Sequence, residues 1–288
     1  MHYWIMCRLC YKLPLKQPED SIDMKTKTII KASISTLLMT VCLAGLARAA
    51  EINTQAEAIA MAAQQRTLTQ VMLKSYLFSA LGVRARNADE QLTQATQTFS
   101  AQQQQLTDFV SDRAVQQQLA RLGQSWQSTQ KLYQRKADKM HFKELYSGNE
   151  ALLSQADATL EKVVLANPDD SARPLSLLGQ QELLCQQLVV LYAMTAWGVA
   201  AEADTSYDAI SGELRSNMVA LQELSQNTPQ INQQLEQLSN ALERTIQVSK
   251  ARPGAMLPAL VDRSVVKVVM QLKQLQADYL SQTNAANS

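Results

Sequence analysis

Arg66, Gln70 and Lys74 follow one another at intervals of four residues, and so do Glu182, Gln186 and Val190. At that spacing, helical residues lie one above the other, so each set forms a single stripe. From Val71 to Val83 nearly every residue is apolar, Ala or Ser, with Lys74 the one charge. That half of the helix should be enclosed on most sides by other helices. Amides and charges aimed into such an interior need partners in the protein, water or a ligand. The chemistry open to these residues is therefore binding.

Catalytic chemistry is scarce. His141 is the one histidine after Ala49, which excludes a histidine cluster for zinc or a haem site built on two histidines, and there is no Cys-x-x-Cys-His motif. Cys185 with His141 is a conceivable nucleophile pair, but Cys185 lies inside a hydrophobic helix. No glycine-rich phosphate loop occurs. The chain reads as a non-enzyme with neither metal nor cofactor.

The two stripes belong to a repeat. Setting Ala63 against Gly179, a shift of 116 residues, aligns AQQRTLTQVMLKSYLFSALGV with GQQELLCQQLVVLYAMTAWGV, and eight of the twenty-one positions are identical. They are Gln64/Gln180, Gln65/Gln181, Leu68/Leu184, Gln70/Gln186, Tyr76/Tyr192, Ala80/Ala196, Gly82/Gly198 and Val83/Val199. Thr69 is the counterpart of Cys185. So long a period reads as one small module duplicated in tandem.

QQRTLTQ followed by LKSYL resembles the first-helix signature of the NarX/PilJ-type periplasmic sensor domain, found in nitrate/nitrite sensor kinases and type IV pilus chemotaxis transducers. Gln65, Arg66, Leu68, Gln70, Lys74, Tyr76 and Leu77 match it in copy one, and Gly179, Gln181, Leu184, Gln186 and Tyr192 in copy two. Copy two departs at the central arginine, which is Glu182, and at the lysine, which is Val190. Both copies lack a second arginine, having Val71 and Gln187 there. The resemblance implies a four-helix bundle that binds a small anion such as nitrate or nitrite between the first helices of paired subunits. It makes Arg66, Gln65, Gln70, Lys74, Gln181, Glu182 and Gln186 the candidate ligand-binding set. A rigid, planar guanidinium suits a planar oxyanion because it can donate bidentately. If the two copies pack side by side, Glu182 would satisfy Arg66 and repel an external anion; if they join end to end, Arg66 could serve a homodimer.

The elements that must position these residues follow from the rest of the chain. Residues 1–23 read as an upstream extension and 24–49 as a signal peptide, with a basic start at Met24, an apolar run over Leu37–Leu46 and an Ala47-Arg48-Ala49 cleavage site. The alternative for that segment is an N-terminal membrane anchor. Seven of 27 basic and three of 26 acidic residues precede Ala50, leaving 20 against 23, a net charge of −3. That balance argues against nucleic acid. Cys185 is the one cysteine after Ala49 and cannot form an internal disulfide.

The fold class is all-α, two tandem up-down four-helix bundles over 50–170 and 171–288. Helices are expected near 52–82, 87–110, 113–138 and 142–166, then near 174–202, 205–227, 229–250 and 255–283. The glutamines around Gln102–Gln105 read as a solvated helix face, Trp126 as core, and the basic run Lys131, Arg135, Lys136, Lys139 and Lys143 as an exposed face near a helix end. Two functions remain. One is a periplasmic sensor-like protein for a small anion, acting through a membrane-bound sensor kinase, cyclase or chemotaxis receptor. The other is a structural or protein-interaction module that keeps the fold without the ligand.

Overall fold

The computed structural model describes residues 52–166, 172–250 and 257–286. The expected extension (1–23) and signal peptide (24–49) lie outside the described residues. Ala49–Ser288 forms one compact unit. Among the described residues it is all-helical, with α1 (Gln55–Ala80), α2 (Ala85–Phe109), α3 (Arg113–Tyr133), α4 (Lys139–Ala166), α5 (Ala172–Trp197), α6 (Tyr207–Gln222), α7 (Pro229–Ser249) and α8 (Pro258–Ala286). A short 3-10 turn, Ala200–Glu202, follows α5.

Helix α1 packs against α2, α4 and, most extensively, α5; α5 in turn packs against α6 and α8, while α3 lies on α4 and α7 on α8. The two repeated helices thus form the centre of the unit. Both are buried around nearly their whole circumference, from Ala56 to Phe78 and from Leu175 to Met194. The outer helices are amphipathic, with one apolar stripe inward.

Local chemistry accounts for the helix ends. Thr54 opens α1 with a capping box: it accepts from the Glu57 N–H at 3.2 Å, and the Glu57 carboxylate accepts from the Thr54 N–H at 3.1 Å. Gly82 and Gly198, at φ +67° and +78°, close α1 and α5 with the same pair of hydrogen bonds. Val83 and Val199 each donate back to the fifth residue before them, at 2.9 Å in both cases.

Three helices, α3, α5 and α6, stop earlier than the expected ends; α5 stops at Trp197 rather than 202, closed by the left-handed Gly198. α3 ends at Tyr133 because the chain to Asp138 is used as a turn: the Asp138 N–H donates to Tyr76 Oη at 3.1 Å, and its carboxylate accepts from the Met140 N–H at 3.0 Å. The basic run therefore straddles this turn, with Arg135 paired to Glu144 at 2.8 Å and Lys139 lying over the Trp197 ring. α6 ends at Gln222, where the Asn227 amide donates to the Leu221 carbonyl at 2.8 Å.

Burial recurs at the shift of 116 in the third and fourth helices of each copy. Leu119, Leu122, Trp126, Thr129 and Tyr133 correspond to Leu235, Leu238, Leu242, Thr245 and Ser249, all buried. Leu145, Leu152 and Val163 correspond in the same way to Val261, Val268 and Tyr279. Trp126 is core as expected, stacked at 4.7 Å on Phe99 with its indole N–H donating to Ser100. The glutamines are not simply solvated. Gln102 and Gln118 are buried, Gln102 donates to Gln64 at 2.7 Å, and Gln103 donates to the Leu119 carbonyl at 2.8 Å. The N–H groups of Gln102, Gln103 and Gln118 reach a side chain or a backbone carbonyl of a neighbouring helix, although the Oε1 atoms of Gln102 and Gln103 have no protein partner among the described residues, so part of this stretch faces the interior.

Candidate functional site

The site begins where α1 and α5 touch. A Cβ placed on Gly179 would meet the Ala63 Cβ at 2.6 Å, so the two helices approach at equivalent positions of the repeat and only a glycine fits there. From that crossing, the polar residues of the repeat diverge to different partners.

Several of the identical residues hold the fold. The Gln65 amide donates to the Phe99 carbonyl on α2 at 2.9 Å, and the Gln181 amide donates to the Leu214 carbonyl on α6 at 3.1 Å. Gln181 also accepts from Asn217 at 2.6 Å. Tyr76 Oη accepts the backbone N–H of Asp138 just ahead of α4, and Tyr192 Oη accepts that of Leu257 just ahead of α8, at 3.0 Å. Gln186 is buried with its Oε1 unpartnered, and it does not line the cleft described next.

Arg66 is 8% exposed and points between α4 and α5. Its Nε pairs with Asp157 of α4, and its Nη2 donates to Gln180 of α5. The carboxylate at Arg66 is thus that of Asp157. Glu182 makes no ion pair among the described residues; it faces Lys273 of α8, across a second cleft with Ala63, Gln64 and Gly179. Burial pushes the Glu182 carboxyl above the ordinary range, and Lys273 only partly offsets this. Side-by-side packing of α1 and α5 therefore supplies Arg66 with a built-in carboxylate, from a different residue than Glu182.

Lys74 is fully enclosed, 2% exposed, with its ammonium 2.9 Å from Asp262 Oδ1 of α8. Of the seven sequence-derived residues, only Arg66 and Gln70 line the same cleft.

That cleft encloses about 300 Å³ and is roofed by α4 and the Ala203–Thr205 segment, with α1 and α5 below. Leu153, Leu183, Val190, Leu191 and Met194 form its apolar wall. Its charged groups are Arg66 against Asp157, Glu150, Asp204 and Glu213, so one cation faces four carboxylates, a net of −3. Glu150, Asp204 and Glu213 have no cationic partner within ion-pair distance among the described residues. Burial raises the Glu150 carboxyl, opposed by the nearby amides of Gln70 and Asn149; burial likewise raises Asp157, opposed by the Arg66 charge. The Tyr146 hydroxyl accepts the Asp204 N–H at 3.2 Å, and burial pushes its pKa up to about 12.

Sequence reasoning missed Asp157, Glu150 and Asp204. One signal was available: the shift that aligns Arg66 with Glu182 also aligns Asp157 with Lys273. Both members of the pair change sign together between the copies, which marks them as partners.

Cys185 is fully buried, and burial, then the Glu182 charge, raises its thiol far above the ordinary range. His141 is exposed, 3.3 Å from Asp138. Among the described residues no group of His, Cys, Asp and Glu is arranged to hold a metal ion, and no helix is long and apolar enough to cross a membrane. The chain matches no family model, no curated protein and no solved structure at a significant level.

Proposed function

We propose that the chain is a periplasmic sensor-like binding protein, built as two tandem up-down four-helix bundles, 50–170 and 171–288, that face each other through α1 and α5. Several contacts that recur at the repeat spacing support the two-module reading. Thr129 of α3 donates to the Gly148 carbonyl of α4 at 3.1 Å, and the corresponding Thr245 of α7 meets Ser264 of α8 at 2.7 Å. Equivalent residues Ala63 and Gly179 touching across the centre are what a two-fold contact between like units produces. The arrangement suits a fused counterpart of the sensor dimer implied by the NarX/PilJ-type resemblance.

In such a dimer two arginines would flank the anion; here Arg66 faces Asp157 and Gln180. That engagement of Arg66 on both Nε and Nη2 carries the functional reading: the place of a nitrate-like anion is taken by a carboxylate of the chain itself. An entering anion would have to displace Asp157 from a guanidinium and then sit among three further carboxylates. The module has kept the sensor architecture and given up the anion, and it passes its state to a membrane-bound kinase, cyclase or chemotaxis receptor.

Calorimetric titration with nitrate and nitrite tests this. The wild-type chain should give no saturable heat, and Asp157→Ala together with Glu150→Gln should admit an anion by freeing Arg66 and removing a neighbouring carboxylate. Tight nitrate binding by the wild type, lost in Arg66→Ala, would return the chain to the anion-sensor reading.

A further inference from the structure

The clefts on the two sides of the α1–α5 pair correspond under the repeat, and one is plugged where the other is open. Shifting by 116 carries Lys74 onto Val190 and Tyr146 onto Asp262. On the α8 side, the Lys74 stem runs through the interior and its ammonium rests on Asp262. On the α4 side, the corresponding residues are Val190 and Tyr146, both lining the open cleft, so no side-chain ammonium occupies that place. The carboxylate that holds Lys74 has no counterpart here, but others lie beside the place: Glu150, one turn from Tyr146 on α4, and Asp204, hydrogen-bonded through its N–H to the Tyr146 hydroxyl.

We infer that this cleft binds a linear aliphatic polyamine, whose ammonium groups stand where Lys74 stands on the other side. The inference rests on the two-module reading of the chain. Three features select this ligand class. Charge comes first, since one cation already engaged by Asp157 faces three carboxylates with no counter-ion of their own. Spacing comes second. Asp157 and Glu150 are seven residues apart on α4, about 10 Å along the helix axis, and Asp204 is held by its N–H at Tyr146, a further turn along the same helix. Carboxylates strung along a trough suit several separated ammonium groups rather than one compact ion, in keeping with the absence of a metal-holding cluster among the described residues. The wall comes third: Leu153, Val190, Leu191 and Met194 offer apolar surface to the methylene segments between the charges. The volume of about 300 Å³ sits at the lower end of small-ligand pockets.

Isothermal titration of the purified chain with spermidine tests the inference, with putrescine, magnesium and nitrate as comparisons. Spermidine should bind saturably at one site per chain, more tightly than putrescine, and magnesium should not compete at equal concentration. Glu150→Gln should weaken spermidine at least tenfold, while Glu236→Gln, on the exposed face of α7, should leave it unchanged. Val190→Lys, which supplies the cleft with the ammonium that Lys74 supplies opposite, should abolish binding. If that variant fails to fold, the Glu150→Gln pair of measurements still decides. Absence of saturable spermidine heat, or equal losses in Glu150→Gln and Glu236→Gln, would overturn the inference. Silence toward both spermidine and nitrate would remove the polyamine while leaving the internal neutralisation of Arg66 intact; tight nitrate binding would remove the latter instead.

Discussion

At the scale of single residues, the closest contact makes the sharpest prediction. Alanine is ordinarily better than glycine inside a helix by ~1 kcal/mol, but at position 179 its methyl would lie 2.6 Å from the Ala63 Cβ, which has no rotamer to retreat into. Overpacking of this kind costs about 1 to 3 kcal/mol, so Gly179→Ala should lower the unfolding midpoint, and adding Ala63→Gly should restore most of the loss. A denaturant melt of the three variants measures it. The Lys74–Asp262 pair predicts an asymmetry. Removing the carboxylate with Asp262→Asn strands an ammonium that is 2% exposed and should cost about 3 kcal/mol or more; Lys74→Met leaves a carboxylate 14% exposed, which water can reach, and should cost less. Equal losses would mean that the pair is not effectively buried. Arg66 and Lys74 were legible from the sequence as buried cations needing partners. The partners themselves, Asp157 and Asp262, lie 91 and 188 residues away and leave no local periodic trace.

At the scale of elements, the repeated polar residues divide into those that join helices and those that face a cleft, and periodicity cannot tell the two apart. Gln65 and Gln181 look like ligand donors because they are amides on buried helices, yet each is spent on a carbonyl of the next helix. Tyr76 and Tyr192 do the same for the segment entering the fourth helix of each copy. Tyr192→Phe should therefore cost about 1 kcal/mol, the ordinary worth of one such bond, and speed hydrogen exchange at the Leu257 amide while leaving the Asp138 amide unchanged. The existence of all eight helices was readable from apolar spacing and from the Gly82, Gly198 and Thr228-Pro229 punctuation. The early ends of α3 and α6 were not, because they are set by distant or delayed caps, Tyr76 for one and Asn227 for the other.

At the scale of the whole molecule, an acidic cleft with too few cations should show in the pH dependence of stability. Burial raises the folded-state carboxyls of Glu150 and Asp157 in this cleft, and of Glu182 in the second one, above their ordinary values. A raised carboxyl means that the folded chain holds its proton more tightly than the unfolded chain does. Stability from these groups therefore falls as pH rises from the ordinary carboxylate range through the raised values, and the loss persists above them. The unfolding midpoint should accordingly be higher at the acid end of that window than at neutral pH. Glu150→Gln, having no proton to lose, should flatten the slope and be the more stable protein at neutral pH. If the slope is the same in wild type and Glu150→Gln, the Glu150 charge is not penalised by the fold.

The relation between the two halves carries the last prediction. Each half of the repeat has its own hydrogen-bonded helix pairs, which argues that 171–288 expressed alone should melt cooperatively. Yet the most extensive packing in the unit joins α1 to α5, and α5 without α1 would expose Gly179 and much of an apolar circumference to water. Burial of that surface stabilises by roughly 25 cal/mol per Å², so the isolated half should melt well below the whole chain and should associate with a separately expressed 50–170 when the two are mixed. Mixing should raise the melting midpoint of both pieces together, and Gly179→Ala in the second piece should weaken the association by closing the approach to Ala63. Two halves that melt as high apart as together would mean that the α1–α5 contact adds nothing to stability, and that Arg66 meets Gln180 across a surface the protein does not need.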